Sequence, residues 1–408
     1  MRILFVSTTV PYPLNTGANQ RIYHVLRALS RLGHITFACP TDGGRWPSEL
    51  DAVQPLFQQA LLYPNESFDA SGPARSDGLF DRLSRLARYH GHLREPALIR
   101  WYRSPQGAQV IADACQQGFD LIWVERLISI GLLPGNVGCR VILDLDDVQY
   151  RKLGHRLRRT GPGLRTALDL VEFFKLRRME RGLVRHGPHE YVVCSALDKQ
   201  ILGGESRIWV VPNGIEMPTE PAWRPSDVAD PSFVFVGAMS TEANVDAVHF
   251  FVRQILPRIR RVMPRARTLI VGSRPTPEVL ALHDGQSVVV TGTVPAVEPF
   301  LQDATMTVVP IRFGGGTRIK ILEALAHGVP VVSTRIGAEG LEVEHDRHLL
   351  LADTPEQFAD ACIALARDGA RRSALSREGL KLVQERYDWR VIEHQVQQVV
   401  AGRSPVSP

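Results

Sequence analysis

Cysteine is scarce in this sequence, and its arrangement excludes a disulfide framework. The 408 residues contain five cysteines, which are scattered, odd in number and never in Cys-x-x-Cys spacing. Such usage is typical of reduced thiols in a cytoplasmic protein. We therefore expect no disulfide bonds to support the fold, which must rest on its apolar core.

Long apolar runs and a strong excess of one charge are also missing. The N-terminal MRILFVSTTVPYP is too short in apolar residues for a signal peptide and lacks a small-residue cleavage site. The most apolar stretch, FDLIWVERLISIGLL, is interrupted by Asp120, Glu125 and Arg126, so we expect no spanning helix. The net charge of +5 is small and no nucleic-acid motif accompanies it. We expect a cytoplasmic protein that does not bind nucleic acid.

Short runs rich in Val and Ile recur between amphipathic segments. The first half contains RILFVS, HITFACP, FDLIWVE, RVILDL and EYVVCS, and the second contains FVFVGAM, RTLIVGS, SVVVTGTV, MTVVPI, VPVVST and HLLLA. Runs of this kind are typical of parallel strands that helices cover on both faces. About eleven strands are many for one sheet, so the pattern predicts an α/β protein with two doubly wound domains.

The domain boundary is predicted in a proline-rich stretch, PNGIEMPTEPAWRPSDVADPS, that has little periodicity. We predict an N-terminal domain over 1–212, a linker over 213–231 and a C-terminal domain over 232–387. Residues 388–408 are predicted to form a helix that packs back on the N-terminal domain, followed by a frayed tail. Ligands of doubly wound sheets bind at the carboxyl ends of the strands, so the two domains should face each other across a binding cleft.

Three consecutive glycines follow the strand MTVVPI and precede the helix RIKILEALA. Gly314, Gly315 and Gly316 allow positive φ and a close backbone approach, and Thr317 is a candidate N-cap. A helix N-terminus with free N–H groups favours an anion such as a diphosphate, and Arg318 and Lys320 add positive charge. The order of residues excludes a Walker loop, and a dinucleotide fingerprint lacks its third glycine.

Glu323 is the one acid in this apolar helix. It lies three residues after Lys320 on the same helical face, so a surface Lys–Glu pair is one interpretation. The other is a carboxylate that faces the cleft and accepts hydrogen bonds from the vicinal hydroxyls of a ribose.

The segments NTGANQR, VVPNGIE, GGGTRIKILEALAHGVPVVSTRIGAEGL and YDW resemble, in this order, the landmarks of retaining GT-B glycosyltransferases of family four. The chain is most similar to exopolysaccharide-type sugar transferases. The resemblance covers nearly the whole chain and is most specific in its second half. It implies the GT-B fold, with two Rossmann-like domains, and the transfer of a sugar from a nucleoside diphosphate.

The resemblance also implies roles for particular residues. Glu323 matches the acid that holds the donor ribose, and the segment around Val294 matches the part that contacts the base. Arg21 follows the N-terminal loop that approaches the donor phosphates. Arg318 and Lys320 would act catalytically by stabilising the leaving diphosphate. The full implied donor set is Gly17, Gly237, Val294, Gly314, Gly315, Gly316, Thr317, Arg318, Lys320 and Glu323.

This sequence departs from the family pattern in three places. Gly315 stands where relatives often carry a second Glu, so backbone N–H groups would hold the donor sugar. The first strand of the donor domain is followed by Ala238, Met239 and Asn244 instead of Arg and Lys. The N-terminal domain lacks the His that relatives place near the reacting sugar.

Acids after two strands of the N-terminal domain are the candidate acceptor residues. They are Glu125 in WVERL, and Asp146 and Asp147 in LDLDDV. The alternative for LDLDDV is a structural cap. No cluster of metal ligands stands out. Since the family is described as using front-face transfer, with the leaving diphosphate accepting the acceptor's proton, we expect no cofactor and no metal in the chemistry.

Two stretches of the N-terminal half are basic. One has seven Arg between Arg75 and Arg103, and the other has eleven Arg and Lys between Arg151 and Arg185, with Leu168, Val171, Phe174 and Met179 among them. One interpretation of the second stretch is a core helix with a solvated basic face. The other is attraction to an anionic membrane surface or a lipid-linked acceptor, which would place the protein peripherally at the inner face of the membrane.

The sequence therefore predicts a glycosyltransferase that uses a nucleoside-diphosphate sugar and a glycan, lipid-linked or small-molecule acceptor in surface polysaccharide synthesis. Two alternatives stay open. A sugar-nucleotide epimerase of the same fold would need an acid–base set that the motifs do not supply. A catalytically silent nucleotide-sugar-binding subunit is consistent with Gly315 and with the missing His.

Overall fold

The structure is a computed structural model that describes residues 1–65, 95–158, 161–187, 189–203, 207–219, 223, 230–316 and 318–403. These residues form two compact units. The first consists of Met1–Pro212 with Glu393–Ser407, and the second consists of Asn213–Ile392. Each unit has its own apolar core and its own sheet, and each is described by itself.

The first unit contains a seven-stranded sheet in which every neighbouring pair is parallel. The strand order is β3-β2-β1-β4-β5-β6-β7, so the order reverses between β1 and β4. Buried apolar side chains line both faces of the central strands, as in β1 and β4. The strands are β1 (Arg2–Val6), β2 (His34–Thr41), β3 (Gln59–Pro64), β4 (Leu121–Glu125), β5 (Arg140–Asp144), β6 (Glu190–Val193) and β7 (Ile208–Val210).

Helices connect these strands. The first, α1, begins after Thr16, whose hydroxyl accepts a hydrogen bond from the Asn19 N–H, and it buries Ile22, Val25, Leu26 and Leu29 as predicted from their spacing. The described helices of this unit are α1 (Gly17–Ser30), α2 (Ala97–Trp101), α3 (Pro105–Cys115), α4 (Gln149–Leu157), α5 (Leu164–His186) and α6 (Ala196–Leu202). Short 3₁₀ segments cover Asp42–Gly44, Ser48–Leu50, Gln54–Leu56 and Leu127–Leu132.

The second unit contains a six-stranded parallel sheet of order β10-β9-β8-β11-β12-β13, which reverses between β8 and β11. Its strands are β8 (Ser232–Val236), β9 (Arg267–Val271), β10 (Val288–Gly292), β11 (Met306–Val309), β12 (Val331–Ser333) and β13 (Leu350–Leu351). All six overlap runs that the sequence predicted as strands, and β8 begins one residue before its run. The expectation of two parallel, helix-covered sheets is confirmed.

The helices of the second unit pack on both sides of that sheet. They are α7 (Glu242–Phe250), which continues through a π-helical turn (Phe251–Ile255) into α8 (Leu256–Val262), then α9 (Pro277–Leu280), α10 (Glu298–Gln302), α11 (Ile319–Ala326), α12 (Pro355–Arg367) and α13 (Gly369–Arg386). The last helix, α14 (Trp389–Val400), begins in the second unit and continues in the first. Among the described residues, no helix is both long enough and apolar enough to span a bilayer.

Sequence reasoning missed the strands β3 and β7. Both lie at an edge of the first sheet, so each is paired on one side only. The strand β3 reads QALLYP, with a polar first residue and a proline at the end, and β7 has only three residues. Edge strands are solvated on one side, so they carry a weaker apolar pattern.

The α5 helix packs on the core of the first unit through Leu176 and Val184, which are buried, but not through all the apolar residues that the sequence pattern suggested. Val171 and Phe174 are 44% and 55% exposed, whereas Glu172, Lys175 and Glu180 are buried. The buried carboxylates are used locally. Glu172 accepts a hydrogen bond from the Ala97 N–H at the start of α2, and Glu180 accepts hydrogen bonds from the first N–H groups of α4. Burial raises the pKa of Glu180 to about 7.

The end of β5 is held by a buried ion pair. The Arg21 guanidinium binds Asp144 through two nitrogens, with Nε 2.9 Å from Oδ2 and Nη2 2.8 Å from Oδ1, and both side chains are about 1% exposed. The same guanidinium donates to the carbonyls of Val211 and Pro212. A single arginine thus ties α1, β5 and the end of the first unit together.

We predict that Arg21→Met lowers the free energy of unfolding of the first unit by about 3–5 kcal/mol, because the change leaves the Asp144 carboxylate buried without its partner. Arg31→Met is the matched control, since Arg31 is 58% exposed and its pair with Glu393 should contribute less than about 1 kcal/mol. Urea unfolding followed by circular dichroism measures both. Equal losses in the two variants would contradict the prediction. The double variant Arg21→Met/Asp144→Asn should recover part of the loss.

Candidate functional site

Polar residues gather in each unit where the strand order reverses. In open parallel sheets the loops after the two strands beside this point diverge and leave a crevice at their carboxyl ends. In the second unit these loops follow β8 and β11, and they contain Gly237 and the glycine loop. In the first unit they follow β1 and β4, and they contain Thr8 and Arg126, next to Glu125 at the end of β4.

The glycine loop has the backbone that its sequence predicted. Gly314 and Gly316 have φ of 114° and 87°, a region that favours glycine. The helix α11 begins at Ile319, with Arg318 at the N-cap position. Thr317, the predicted cap, lies outside the described residues. The Arg318 guanidinium is 8% exposed and donates to the carbonyls of Gly315 and Gly314, at 3.2 and 3.1 Å. Arg318 therefore braces the loop from the inside.

Lys320 lies in the first turn of α11, and its ammonium has two partners in the described chain. Its Nζ donates to Asn244 Oδ1 at 2.6 Å and lies 4.3 Å from the centroid of the Phe235 ring. Burial and the charge of Arg318 lower the pKa of Lys320 to about 7, while the charge of Glu323 opposes this shift. Near neutral pH, this lysine is therefore present in both its protonated and its neutral form.

Close backbone contacts fix the position of this ammonium. A Cβ added to Gly272 would lie 1.9 Å from the Gly237 carbonyl oxygen, so the loops after β8 and β9 touch. A Cβ added to Gly237 would lie 2.7 Å from Asn244 Nδ2 and 3.1 Å from Lys320 Nζ. Asn244 in turn donates to the Ala238 carbonyl. Glycine at position 272 therefore allows the two loops to touch, and glycine at position 237 leaves room for the Asn244–Lys320 pair.

Glu323 lies one turn further along α11 and is half-buried. No hydrogen bond or ion pair joins its carboxylate to another residue in the described part of the chain. Burial and the charge of Glu298 raise the pKa of Glu323 to about 7, and Lys320 opposes the shift. The helix thus presents an ammonium and a carboxyl group, both titrating near neutral pH, with free acceptor positions on the carboxylate.

Val294 lies in the loop after β10, at the same end of the sheet and two strands away from β8. This loop starts at Gly292, whose φ is 71° and whose carbonyl accepts a hydrogen bond from the Gly272 N–H. The Val294 side chain is half-buried against the core of the second unit. The loop then leads into α10, where Glu298 is exposed.

The first unit has a second cluster of polar side chains at its own reversal point. Glu125 is 2% exposed and accepts hydrogen bonds from the N–H and hydroxyl of Thr8, while its other oxygen lies 2.7 Å from Arg126 Nε. Burial raises the pKa of Glu125 to about 7 against the lowering effect of Arg126. Arg126 has φ of 63°, which turns the chain sharply after β4.

Asp146 and Asp147 follow β5 and face the same cluster. Asp146 has φ of 55°, and its Oδ2 lies 3.8 Å from Arg126 Nε. Burial and the neighbouring Asp146 raise the pKa of Asp147 to about 6, while Lys152, whose Nζ is 3.8 Å from Asp147 Oδ2, opposes the shift. The structure thus brings Glu125, Asp146 and Asp147 together. Among the described residues, no group of three or more His, Cys, Asp or Glu has the arrangement of a metal site.

Gly17 and Arg21, the residues of the first unit that were predicted to approach the donor, differ in how accessible they are. Gly17 is the first residue of α1 and is half-buried. Arg21, one turn later, is 1% exposed, and its guanidinium is occupied by Asp144 and two carbonyls. In this arrangement Arg21 is a structural residue of the first unit and its side chain is closed off from a ligand.

Sequence reasoning did not identify several residues of these clusters as functional. Phe235 and Asn244 carry no motif, and only packing brings them to Lys320. Thr8 reaches Glu125 across 117 positions of sequence. One available signal was the glycine that ends each of the runs FVFVG and RTLIVG, since paired strand-ending glycines indicate a close backbone approach.

Residues 230–368, which include the glycine loop, match the profile of the family described as "Glycosyl transferases group 1". Sucrose-phosphate synthase from Thermosynechococcus elongatus is structurally similar, with a TM-score of 0.68, 15% identity and coverage of 98% of both chains. The chain has the GT-B fold. This confirms the fold predicted from the sequence.

Two further relatives extend the comparison. The crystal structure of HepE from Anabaena in complex with UDP and glucose has a TM-score of 0.62 and 13% identity over 98% of this chain and 100% of that one. An "uncharacterized 44.6 kDa protein in cps region" from Klebsiella pneumoniae is 21% identical over 403 residues, which cover 95% of this chain and 96% of that protein.

We predict that Lys320→Met stabilises the free protein. The folded state lowers the pKa of Lys320 from 10.5 to about 7, so the unfolded state binds more protons between these values and wild-type stability falls as pH drops through that window. The variant loses this pH dependence. Its melting temperature should therefore exceed that of the wild type by several degrees at pH 7, at about 2–4 °C per kcal/mol, and by less at pH 10.

Differential scanning calorimetry at both pH values tests this expectation. Lys381→Met is the control, since Lys381 is 63% exposed in the same unit, and it should shift the melting temperature little at either pH. A lower melting temperature for Lys320→Met at pH 7 would show that the ammonium stabilises the fold, contrary to the prediction.

Proposed function

We propose that this protein is a retaining glycosyltransferase of family four that transfers a hexosyl unit from a nucleoside-diphosphate sugar. The acceptor would be a glycan, a lipid-linked saccharide or a small molecule, and the process would be the synthesis of a surface polysaccharide in the cytoplasm. The observation that carries this proposal is the arrangement at the end of β8 and β11. There, the glycine loop, Lys320 and Glu323 lie together within the segment that matches glycosyl transferases group 1.

The donor diphosphate would lie at the N-terminus of α11. The N–H groups in the first turn of an α-helix have no acceptor within the helix, and the helix dipole adds positive charge at this end. Lys320, the second residue of the helix, would supply a positive charge when the donor binds, because a bound diphosphate favours the protonated form of the lysine. Arg318 holds the loop in shape and adds a fixed positive charge behind it.

Glu323 would accept hydrogen bonds from the donor ribose, because its carboxylate has no partner in the described chain and lies one turn beyond the phosphate-binding end of the helix. Gly237, Gly314, Gly315 and Gly316 would contact the phosphates and the sugar through the backbone. The loop that contains Val294 would contact the base, and Gly17 would approach the donor from the first unit.

In the proposed reaction the bond between the sugar C1 and the phosphate oxygen breaks while the acceptor oxygen binds C1 from the same face. The acceptor's proton passes to the leaving phosphate, so no separate base is required. The enzyme stabilises the negative charge that develops on that phosphate through Lys320, Arg318 and the end of α11. Glu125, Asp146 and Asp147 would orient the acceptor hydroxyl. We propose that this scheme needs no metal ion.

The decisive experiment is a donor screen followed by an analysis of the product. Each common nucleoside-diphosphate sugar is incubated with the protein, beginning with UDP-sugars because HepE was solved with UDP. Release of the nucleoside diphosphate, with or without acceptor, is measured, and the anomeric configuration of the product is read by NMR. Slow donor hydrolysis with retention supports the proposal. An inverted product would refute the retaining mechanism.

The same screen separates the alternatives. If a nucleoside diphosphate raises the melting temperature but no donor is turned over, the protein is a nucleotide-sugar-binding subunit. Conversion of a sugar nucleotide into its epimer would identify an epimerase. Activity that disappears with EDTA and returns with a divalent ion would contradict the metal-free scheme.

We predict that Glu323→Gln weakens the binding of the nucleoside diphosphate by a factor of roughly 10 to 100. This corresponds to the loss of a charge-assisted hydrogen bond worth about 1.5–3 kcal/mol. Isothermal titration calorimetry measures the affinity, with Glu385→Gln, an exposed carboxylate of the same unit, as control. Unchanged affinity in Glu323→Gln would show that Glu323 does not bind the ribose. Because the pKa of Glu323 is about 7, wild-type affinity due to this contact should fall as the pH drops below 7.

A further inference from the structure

The α5 helix exposes a row of large apolar side chains. Leu164, Leu170, Val171 and Phe174 are 71%, 47%, 44% and 55% exposed. Residues three, four and seven apart lie on one side of an α-helix, so these four side chains share a face. In a monomeric soluble protein such residues normally occur singly, and a contiguous row indicates a surface that binds something.

The same face continues as a row of arginines in the second half of the helix. Arg177, Arg178 and Arg185 are exposed and Arg181 is half-buried, and their spacing of one, three and four residues keeps them in line with Phe174. With Phe174, Gly182 and His186 they line a shallow depression of about 480 Å³. We call the eight residues Leu164, Leu170, Val171, Phe174, Arg177, Arg178, Arg181 and Arg185 the outward face of α5.

The acids of α5 lie away from this face and have partners of their own. Asp169 pairs with Arg156, Glu172 binds the start of α2, and Glu180 binds the start of α4. No ion pair joins any of the four arginines of the outward face to a carboxylate in the described part of the chain. The inner side of α5 thus buries Glu172 and Glu180 together with the core residues Leu176 and Val184. Its outward face carries apolar groups beside cations that have no carboxylate partner among the described residues.

We propose that the outward face of α5 docks the protein onto an anionic phospholipid bilayer. The apolar half enters the boundary between headgroups and acyl chains, and the arginines bind the lipid phosphates. A helix with apolar anchors on one part of a face and a cluster of cations on the rest matches this interface, which is apolar below and negatively charged above. Guanidinium groups bind phosphate through paired N–H donors.

A second copy of the chain fits the outward face less well. If two such helices met in parallel, the arginine halves would face each other and repel. If they met antiparallel, each arginine half would cover the apolar half of the other copy, which would bury guanidinium groups without carboxylate partners. Charge complementarity therefore favours the bilayer over self-association.

The test is co-sedimentation of the whole protein with vesicles of phosphatidylcholine alone or with 30% phosphatidylglycerol, about one lipid in three, a content chosen to give a clearly negative surface. We expect binding to the mixed vesicles, little binding to phosphatidylcholine, and loss of most binding in 0.5 M salt, a concentration well above the roughly 0.15 M physiological level. Equal binding to both vesicle types, or no binding to either, would overturn the proposal.

Two triple variants test whether the outward face of α5 is the surface that binds the vesicles. Arg177→Gln/Arg178→Gln/Arg185→Gln should lower the partition coefficient about 100-fold, since three cations near an anionic surface are removed. Arg253→Gln/Arg261→Gln/Arg377→Gln removes the same charge from exposed positions of the second unit and should change it about twofold at most by general electrostatics. Equal losses in the two triple variants would show that net charge, and not this face, causes binding.

Val171→Ser/Phe174→Ser removes apolar anchors without changing charge and should lower binding at least about tenfold. Its control is Val262→Ser/Leu280→Ser, which changes two similarly exposed apolar residues of the second unit. Wild-type binding by Val171→Ser/Phe174→Ser would overturn the proposal. Analytical ultracentrifugation without vesicles gives a second test. If the wild type is a dimer and this variant is a monomer, a second copy of the chain occupies the face and the proposal is wrong.

The proposal is independent of the proposed enzymatic function. The affinity for a nucleoside diphosphate in solution should be the same for the wild type and for the two variants of the outward face, because this face lies in the first unit and Lys320 and Glu323 lie in the second. Vesicle binding without any nucleotide binding would leave the docking surface intact and refute the transferase.

Discussion

Strands that are apolar on both faces can be buried only if every N–H and carbonyl group is paired within the sheet, and this constraint organises both units. Strands of this kind also need helices on both sides of the sheet, and in both units the strands pair in parallel. In each sheet the strand order reverses once, between β1 and β4 and between β8 and β11. Charged side chains lie at the ends of the strands, as Glu125 does in β4, or in the loops at those reversal points. Both candidate clusters, around Glu125 and around Lys320, lie at such a point.

The cluster of the second unit is built around the ammonium group of Lys320, whose charged form is destabilised by its surroundings. Burial lowers the pKa of Lys320 to about 7, although Asn244 and the ring of Phe235 lie against its Nζ. An anion at the end of α11 would restore the favourable charge balance that the free protein lacks. Glu323 has the complementary property, because burial and Glu298 raise its pKa to about 7 and its carboxylate lacks a partner in the described chain. These two properties support the proposed binding of a ligand that carries both phosphate and hydroxyl groups.

Charged residues of the first unit stabilise its fold through contacts that their sequence pattern does not show. Arg21 resembles a candidate phosphate ligand, yet its guanidinium holds Asp144 and the carbonyls of Val211 and Pro212. In α5, Glu172 and Glu180 are buried because the first N–H groups of α2 and α4 need acceptors. The use of these charges inside leaves apolar residues and arginines on the outside of α5. The helix contacts the core through Leu176 and Val184, whereas Val171 and Phe174 of the same apolar–basic pattern face outward.

The sequence alone determined the fold class, eleven of the thirteen strands, the helix α1 and the glycine loop, because these depend on local apolar periodicity and on the conformational freedom of glycine. It also indicated the candidates Lys320, Glu323, Glu125, Asp146 and Asp147. Only the tertiary structure decided which residues surround them. Asn244 and Phe235 reach Lys320, and Thr8 reaches Glu125, through contacts between segments that are far apart in sequence. Burial, ion pairing and the face that a helix turns to solvent depend on what packs against a residue. Periodicity reports only which residues share a face, not which face is inside.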